Sequence, residues 1–301
     1  MSIASTQEHF DVIVIGGSYA GQAAAMQLAR ARRRVLVIDA GVRRNRFAAT
    51  SHGFLGQDGR SPDAIAAVGR EQVQAYLTVQ WLEGKATHAR RTQDRFTVQD
   101  ERGQDFHARV LVLALGVVDD LPEIDGLSDR WGRSIFHCPY CHGYELAQGR
   151  IGVIGVGDVS LHQAMMLPDW GRVTLLINGS AIPDETQRSG LQRRGVILEP
   201  TAIRRIIESA TVELVDDRLL AFDGLFVASR TRVASPIAEE LGCAMEEGLL
   251  GRYIHTNEFK ETSVPGVFAC GDAARMAGSV SFAVGDGAQA GTAAHQALIF
   301  R

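Results

Sequence analysis

Two cysteines, Cys138 and Cys141, are separated by Pro139 and Tyr140, which is the spacing of a redox dithiol. Such a pair holds two electrons as two thiols and gives them up when it closes a disulfide, and the attacking species in that exchange is a thiolate. His142 follows the second cysteine directly, so we expect it to stabilise the thiolate and to carry protons. The sequence therefore predicts a catalytic site of Cys138, Cys141 and His142.

Zinc binding and an inert structural pair are the alternative interpretations of these cysteines. Zinc would need two more ligands, and although His137 and His142 each adjoin a cysteine, adjacent residues rarely chelate one ion together with them. The remaining cysteines, Cys243 and Cys270, have no thiol at dithiol spacing. We therefore predict no metal site and no catalytic role for Cys243 or Cys270. For His142, a satisfied surface histidine is the alternative.

A glycine-rich turn at residues 16–21 (GGSYAG) follows a β-branched run at 11–15 and precedes an Ala-rich helical stretch that we expect to reach about Arg33. This arrangement lets backbone N–H groups at a helix N-terminus bind the pyrophosphate of a dinucleotide, with no side chain in the way. Asp39 ends the next strand about 20 residues later, where an acid can hold ribose hydroxyls. The residues predicted to bind the cofactor here are Gly16, Ser18, Tyr19, Ala20, Gly21, Asp39 and Ala40.

A second glycine turn at 155–160 (GVGDVS) follows the strand predicted at 151–154 and precedes a helix. Its possible nicotinamide-nucleotide loop consists of Gly155, Gly157 and Ser160. The next strand, predicted at 172–177, runs into Asn178, where an NAD site would need an acid and an NADP site a basic side chain. We therefore predict poor use of NAD(P)H by a retained fold. The alternative is that a cation distant in sequence, such as Arg188, folds back to the phosphate.

The elements that position these residues follow the order strand, glycine turn, helix, strand in both places. A further strand at 109–115 stops at Gly116, and the tail has a strand at 267–270 before Gly271, Asp272 and a Gly/Ala-rich closing helix. We predict an α/β fold with two Rossmann-like nucleotide-binding domains, the second inserted into the first. The predicted bounds are 1–117 plus 237–301 for the outer domain and 118–236 for the inner domain, which carries the dithiol.

Composition and charge exclude several other classes of protein. At 301 residues the chain is long for one core, which favours two domains. The net charge of −4 gives no electrostatic reason to expect nucleic acid. The polar start and the lack of any run near the ~20 apolar residues of a membrane span predict a cytoplasmic protein that does not enter a membrane. For the Arg-rich segments 29–34 and 43–46, solvated helix ends are favoured over a basic binding patch.

These motifs together resemble the low-molecular-weight thioredoxin reductase family over nearly the whole chain. The tail 262–272 (TSVPGVFACGD) is similar to the second FAD signature of that family, whose Asp holds the ribityl chain. The resemblance adds Gly116, Gly271 and Asp272 to the cofactor site and makes the outer domain the FAD-binding domain and the inner one an NAD(P)-type domain. It also implies a homodimer and a flavin–disulfide relay in which Cys141 faces the flavin and Cys138 attacks the external partner.

Two positions depart from that family. His142 stands where its reductases usually have an acid, and Asn178 begins the segment where they carry a basic motif. The stretch 138–145 (CPYCHGYE) is instead similar to dithiol oxidases of the gliotoxin and holomycin type, which close a disulfide in a small molecule and pass the electrons through FAD to oxygen. We therefore expect an FAD-dependent dithiol oxidase that uses oxygen or another non-nicotinamide partner.

Two other functions stay open on the sequence: an NADPH-dependent thioredoxin-disulfide reductase and a non-catalytic flavin redox sensor. The substrate is either a small dithiol or disulfide or a thioredoxin-like protein. Because one relay runs in either direction according to its donors and acceptors, the direction of electron flow also stays open.

Overall fold

The structure is a computed structural model that describes residues 9–92, 94–180 and 182–301. Its strands are β1 (His9–Ile15), β2 (Val35–Asp39), β3 (Val79–Glu83), β4 (Ala86–Thr92), β5 (Arg95–Asp100), β6 (Asp105–Leu113), β7 (Val117–Asp120), β8 (Ile135–Phe136), β9 (Arg150–Ile154), β10 (Arg172–Leu176), β11 (Ile197–Glu199), β12 (Ile203–Ile207), β13 (Thr211–Leu214), β14 (Leu219–Ala221), β15 (Gly224–Val227), β16 (Arg230–Val233), β17 (Met245–Gly248), β18 (Gly251–Ile254) and β19 (Val267–Ala269). Its α-helices are α1 (Tyr19–Arg30), α2 (Pro62–Gln74), α3 (Pro139–His142), α4 (Asp158–Met166), α5 (Glu185–Arg193), α6 (Ile237–Glu240) and α7 (Val280–Phe300).

The chain divides into two compact units. The first consists of the residues up to Arg44 together with 63–118 and 231–301, and the second of 45–62 and 119–230. These ranges differ from the predicted bounds in three places, the smallest of which is Val118, which groups with the first unit. Residues 231–236 group with the first unit because Thr231 donates its N–H to Leu250 O, and Ala234 to Gly116 O. Residues 45–62 group with the second unit.

The first unit is built on a sheet of order β3-β2-β1-β6-β5-β4, with β19 added beside β6. In β1, residues Val12–Ile15 are all buried, as expected of a strand covered on both faces. On one face the helices α1 and α7 lie against each other, and glycines permit their close approach. A Cβ on Gly287 would lie 2.1 Å from Ala20 O, and one on Gly291 would lie 2.4 Å from Ala24 O.

The second unit is built on a parallel sheet of order β11-β10-β9-β15-β8. Ile151 and Val153 of β9 enter the core under α4 and α5, whereas Ile154 enters the core shared with the antiparallel sheet β12-β13-β14. Both faces are therefore covered, which is what an all-parallel sheet requires. The predicted α/β fold, with a second unit inserted into the first, is confirmed.

Two local expectations were wrong. Helix α1 ends at Arg30 rather than near Arg33, because Arg32 takes a left-handed backbone conformation with φ 59°. Residues 43–46 are not a solvated helix end, since they lie outside the helices. Arg43 and Arg44 are only 22% and 24% exposed and form ion pairs with Asp63 and Asp272. Among the residues described above, no helix is long and apolar enough to cross a membrane.

Candidate active site

The two predicted redox cysteines lie on one short helical turn. Cys138 is the N-cap of α3, and Pro139 occupies the first helical position, where its fixed φ suits a helix start and its missing N–H is not needed. The N–H of Cys141 donates to Cys138 O over 3.2 Å. Both residues are half-buried thiols. Residues three apart are neighbours on a helical turn. The two cysteines therefore have the spacing that a redox dithiol needs.

Contacts of Gly143 and Tyr140 with an indole ring hold this turn against the rest of the second unit. A Cβ on Gly143 would lie 2.7 Å from both Trp170 Cγ and Pro139 O, so the end of α3 packs directly on the indole. Tyr140, which is 72% exposed, forms a T-shaped pair with the same indole, with the ring centroids 5.3 Å apart. On the other side, Gln163 of α4 donates its amide N–H to His137 O over 2.8 Å.

His142 is held by stacking rather than by hydrogen bonds. Its ring lies 4.3 Å from that of Phe136 with an interplanar angle of 13°. Both ring nitrogens are buried, and neither has a hydrogen-bond partner among the described residues. Burial lowers the pKa of His142, whereas Glu145 raises it and His52 lowers it to a smaller degree. Burial therefore favours the neutral form of the ring, which follows Cys141 directly in the sequence.

Two residues of this neighbourhood were missed as candidates from the sequence. His52 Nε2 lies 3.5 Å from Glu145 Oε1, and its Nδ1 lies 3.4 Å from Asp58 Oδ2. Glu145 belongs to the sequence motif at residues 138–145. No sequence motif includes His52, because it comes from the distant segment 45–62.

The first glycine turn forms a close backbone cradle at the start of α1. A Cβ on Gly21 would lie 1.8 Å from Gly16 O, and one on Gly16 would lie 2.1 Å from Ala114 O, so only glycine fits at these two places. Asp39 Oδ1 accepts from the N–H groups of Gly17, at 3.2 Å, and Gly41, at 3.1 Å. The acid at the end of β2 therefore holds the turn through its Oδ1.

The other residues predicted for this cofactor site differ in burial and backbone conformation. Ser18 is the N-cap of α1 without a capping bond from its side chain, and Tyr19 and Ala20 are buried in the first turn. Ala40 is exposed beside Asp39. Gly116 lies between β6, which ends at Leu113, and β7, which begins at Val117; it has φ 66° and open space where a Cβ would point.

The tail contributes Gly271 and Asp272, in a 3-10 turn that follows β19. Gly271 has φ +70°, and a Cβ there would lie 2.9 Å from Ala20 Cβ, so the turn packs onto the start of α1. Asp272 Oδ2 lies 3.2 Å from Arg44 Nη1 in an ion pair whose two side chains are about one-fifth exposed. Arg44 was not predicted, since an arginine cluster in sequence does not reveal which member is paired.

In the second glycine turn, the side chain of Ser160 forms hydrogen bonds to the backbone of the turn itself. Ser160 is buried; its hydroxyl donates to Ile154 O over 3.2 Å and accepts from the N–H of Val156 over 2.9 Å. It therefore braces the turn. A Cβ on Gly155 would lie 2.5 Å from both Ile177 O and Ser180 Oγ, whereas the Cβ direction of Gly157 is open.

Charge at this turn is opposite to what a pyrophosphate needs. Asp158 is the exposed first residue of α4 and brings a carboxylate to the positive end of the helix. Asn178 follows β10 and uses its side-chain oxygen to accept from the N–H of Ile203 at 2.9 Å. The sequence had indicated the missing charge at Asn178, but not that its side chain is already bound.

The two remaining cysteines have thiols whose pKa is raised. Burial raises the pKa of the Cys243 thiol, which donates to Thr262 Oγ1 over 3.5 Å. Burial also raises the pKa of the Cys270 thiol to about 12. Since the thiolate is the reactive form, neither is placed to take part in exchange. Within the described ranges there is no group of three or more His, Cys, Asp or Glu side chains that could hold a metal ion.

Comparison with known proteins gives consistent matches over nearly the whole chain. The sequence model of the pyridine nucleotide-disulphide oxidoreductases matches residues 10–297. Thioredoxin reductase tcpT of Claviceps purpurea (strain 20.1) is 32% identical, over 98% of this chain and 96% of its own length. The crystal structure of an oxidoreductase from Agrobacterium tumefaciens is 53% identical and superposes with a TM-score of 0.95, covering 97% of this chain and 99% of its own. The crystal structure of HlmI is 35% identical with a TM-score of 0.90, covering 97% and 93%.

Proposed function

Because this chain belongs to the pyridine nucleotide-disulphide oxidoreductase family, as a thioredoxin reductase-like oxidoreductase, we propose that it is an FAD-dependent dithiol oxidase. The observation that carries the proposal is the pair Cys138–Cys141 on one helical turn beside the neutral, buried imidazole of His142. The motif at residues 138–145, which is similar to that of the gliotoxin- and holomycin-type dithiol oxidases, supports it.

The proposed exchange balances within the cysteines and one substrate dithiol. His142 takes the proton of one substrate thiol, and the resulting thiolate attacks Cys138 Sγ of the closed disulfide. The S–S bond breaks, and Cys141 leaves as a thiolate that receives a proton through His142. The second substrate thiol then attacks the substrate sulfur of the mixed disulfide, the bond to Cys138 breaks, and the proton of that thiol passes to the released Cys138 thiolate. The substrate is oxidised to a disulfide, and the enzyme pair is reduced to two thiols.

The family implies FAD, and the residues of the first unit fit it. The cradle of Gly16 and Gly21 leaves backbone room for a pyrophosphate at the N-terminus of α1. Asp39 would hold a ribose through Oδ2, since Oδ1 already accepts two amides. Asp272, oriented by Arg44, would hold the ribityl chain. When bound, FAD supplies the two-electron acceptor that reoxidises the dithiol and passes the electrons to oxygen, which becomes hydrogen peroxide.

A non-nicotinamide partner is favoured by the second glycine turn. A pyrophosphate there would approach the Asp158 carboxylate, and the Asn178 side chain is already engaged by Ile203. An NADPH-dependent thioredoxin-disulfide reductase is the second candidate. It is favoured by the retained strand–turn–helix arrangement of β9 and α4 and by the name of the relative from Claviceps purpurea.

The experiment is oxygen consumption with dithiothreitol, with peroxide measured at the same time. We expect steady turnover by the wild type and none by Cys138→Ser or Cys141→Ser, both of which should keep their FAD. Cys243→Ala is the matched control, because it removes a buried thiol whose pKa is raised by burial, and it should keep full activity. Turnover that persists in Cys141→Ser would overturn the proposal, and a single stoichiometric reduction without turnover would indicate a sensor.

We further propose a cytoplasmic homodimer that acts on either a small dithiol or a thioredoxin-like protein. Light scattering after size exclusion tests the dimer. Competition between dithiothreitol and oxidised or reduced thioredoxin tests the substrate class: inhibition at micromolar thioredoxin indicates a protein substrate, and its absence indicates a small molecule.

A further inference from the structure

The 3-10 turn that carries Asp272 is joined on both sides to one carboxylate of α7. Before the turn, the N–H of Ala269 donates to Lys260 O over 2.9 Å, and Lys260 Nζ lies 2.8 Å from Asp286 Oδ1. After the turn, Arg275 Nη1 lies 3.1 Å from Asp286 Oδ2. The two cations therefore connect the entry and the exit of the turn to the same side chain.

The ion triad of Lys260, Asp286 and Arg275 is largely removed from water. The three side chains are 18%, 10% and 27% exposed, respectively. The guanidinium carbon of Arg275 also lies 4.1 Å from the centre of the Phe282 ring. A buried carboxylate must be paired to be tolerated, and its removal would leave two poorly hydrated cations that repel each other. The triad therefore holds its members in place only while Asp286 is charged.

Lys260 has a backbone conformation that lysine rarely adopts. Its φ of 64° is left-handed. The side-chain oxygen of Asn257 accepts from the N–H groups of Phe259, at 2.9 Å, and Glu261, at 3.0 Å, and the N–H of Lys260 donates to Asn257 O over 3.0 Å. Such a conformation persists only where the surrounding contacts determine it. The ion pair of Lys260 with Asp286 therefore starts from a backbone that is itself fixed.

The segment that follows Arg275 lies directly against the carboxylate of Asp272. A Cβ on Gly278 would lie 2.2 Å from Asp272 Oδ1 and 2.5 Å from its Cγ. Within the turn, Ala273 and Ala274 are buried and bring no polar side chain. The place of Arg275 thus decides how closely residues 275–278 cover Asp272.

We propose that Asp286 is a positioning residue for FAD, which sets the place of Asp272 at the ribityl chain by holding Lys260 and Arg275. The inference rests on the FAD site of the proposed function and is independent of the dithiol chemistry. Asp286 acts through Asp272, so its loss should weaken the contact with the ribityl chain. The glycine cradle at the start of α1, where the adenosine and pyrophosphate part would bind, should be unaffected.

The test is a double-mutant cycle on the dissociation constant of FAD. The full-length chain, freed of its flavin, is titrated with FAD while the quenching of flavin fluorescence is followed. We expect Asp286→Asn to raise the dissociation constant about tenfold to a hundredfold. Lys260→Asn removes one cation, suits the left-handed backbone and should raise it about twofold to tenfold. In an Asp272→Asn background, Asp286→Asn should have little further effect, because the residue that it positions has already lost its charge.

ADP separates positioning from general damage, because it shares only the adenosine and pyrophosphate part of FAD. We expect every variant to bind ADP as the wild type does. Asp105→Asn is the matched control, since it breaks an ion pair with Arg90 at the start of β6, and it should bind FAD normally. If Asp286→Asn does not fold, Arg275→Met takes its place in the cycle, because that side chain is more exposed.

Equal losses of ADP and FAD affinity, or an effect of Asp286→Asn that is fully retained beside Asp272→Asn, would overturn the proposal and leave the proposed function standing. A wild-type chain that binds no FAD would contradict both. The expected cycle in a protein without dithiol turnover would support the positioning role of Asp286 and contradict the proposed function.

Discussion

The side-chain oxygen of Asn178 accepts a hydrogen bond at 2.9 Å from the N–H of Ile203, the first residue of β12. Asn178 follows the second strand of the inner parallel sheet, at the position where a nucleotide-binding unit presents a charged side chain to the adenosine ribose. Its backbone is left-handed, with φ 49°. The residue therefore joins the parallel sheet to the small antiparallel sheet, and we propose that together with Asp158 it makes the turn a poor site for a dinucleotide.

Adding an acid at position 178 and removing the one at position 158 should improve the use of NADH. Asn178→Asp keeps an oxygen that accepts from Ile203 and adds the acid that grips a ribose, and Asp158→Ser removes the carboxylate at the start of α4. A charged hydrogen bond contributes about 1.5–3 kcal/mol, so we expect the double variant to be reduced by NADH about tenfold to a hundredfold more efficiently. Asp129→Ser, which removes an exposed carboxylate as Asp158→Ser does, is the control for that change. An unchanged rate of flavin reduction by NADH would show that something else blocks the site.

Loss of the imidazole next to Cys141 should slow the dithiol half-reaction. We expect His142→Asn to lower the rate by about 10²- to 10⁴-fold, the usual contribution of a general acid–base group. The measurement is stopped-flow reduction of the flavin by dithiothreitol across pH 5 to 9. If the variant kept the wild-type rate and pH profile, His142 would have a structural role and no role in proton transfer.

The same histidine should make stability depend on pH. Burial holds its pKa below the ordinary value of 6.5, so below that pH the unfolded chain binds a proton that the native ring resists. Stability is therefore full above about pH 6.5 and declines as the pH falls toward the native pKa. In thermal melts at pH 7.5 and 5.5, the wild type should lose more Tm than His142→Asn. Equal losses in the two proteins would contradict the lowered pKa.

Two glycines of α7 should respond in opposite ways to the same substitution. Gly287→Ala places a Cβ 2.1 Å from Ala20 O and should destabilise the protein by about 1–3 kcal/mol through overpacking against α1. Gly285→Ala meets nothing within 4 Å, so it should stabilise the helix by about 0.5–1 kcal/mol. Chemical unfolding of both variants checks the prediction. A stabilised Gly287→Ala would show that the two helices are not in this contact.

What the sequence could predict depended on signals carried within a short stretch of chain. Three local structures could be predicted because residues close in sequence determine them. They are the buried strand ending at Ile15, the close backbone approach in the turn from Gly16 to Gly21, and the helix start that carries Cys138 and Cys141. The α/β fold followed from the order of such segments.

What could not be predicted depended on pairing between distant segments. His52 reaches Glu145, and Arg44 reaches Asp272, only after the chain has folded. Ser160 has the right identity for a phosphate loop, yet its hydroxyl closes the turn instead. Residue type gives the available chemistry, and tertiary contacts decide which partner uses it.

The central claim is that electrons enter through the Cys138–Cys141 dithiol and not through a nicotinamide. Anaerobic titration of the oxidised protein tests it most directly, first with NADPH and then with dithiothreitol, while the flavin absorbance band is followed. We predict that micromolar NADPH leaves the band nearly unchanged and that dithiothreitol bleaches it stoichiometrically in the wild type but not in Cys141→Ser. Rapid, stoichiometric bleaching by micromolar NADPH would contradict this account and indicate an NADPH-dependent thioredoxin-disulfide reductase.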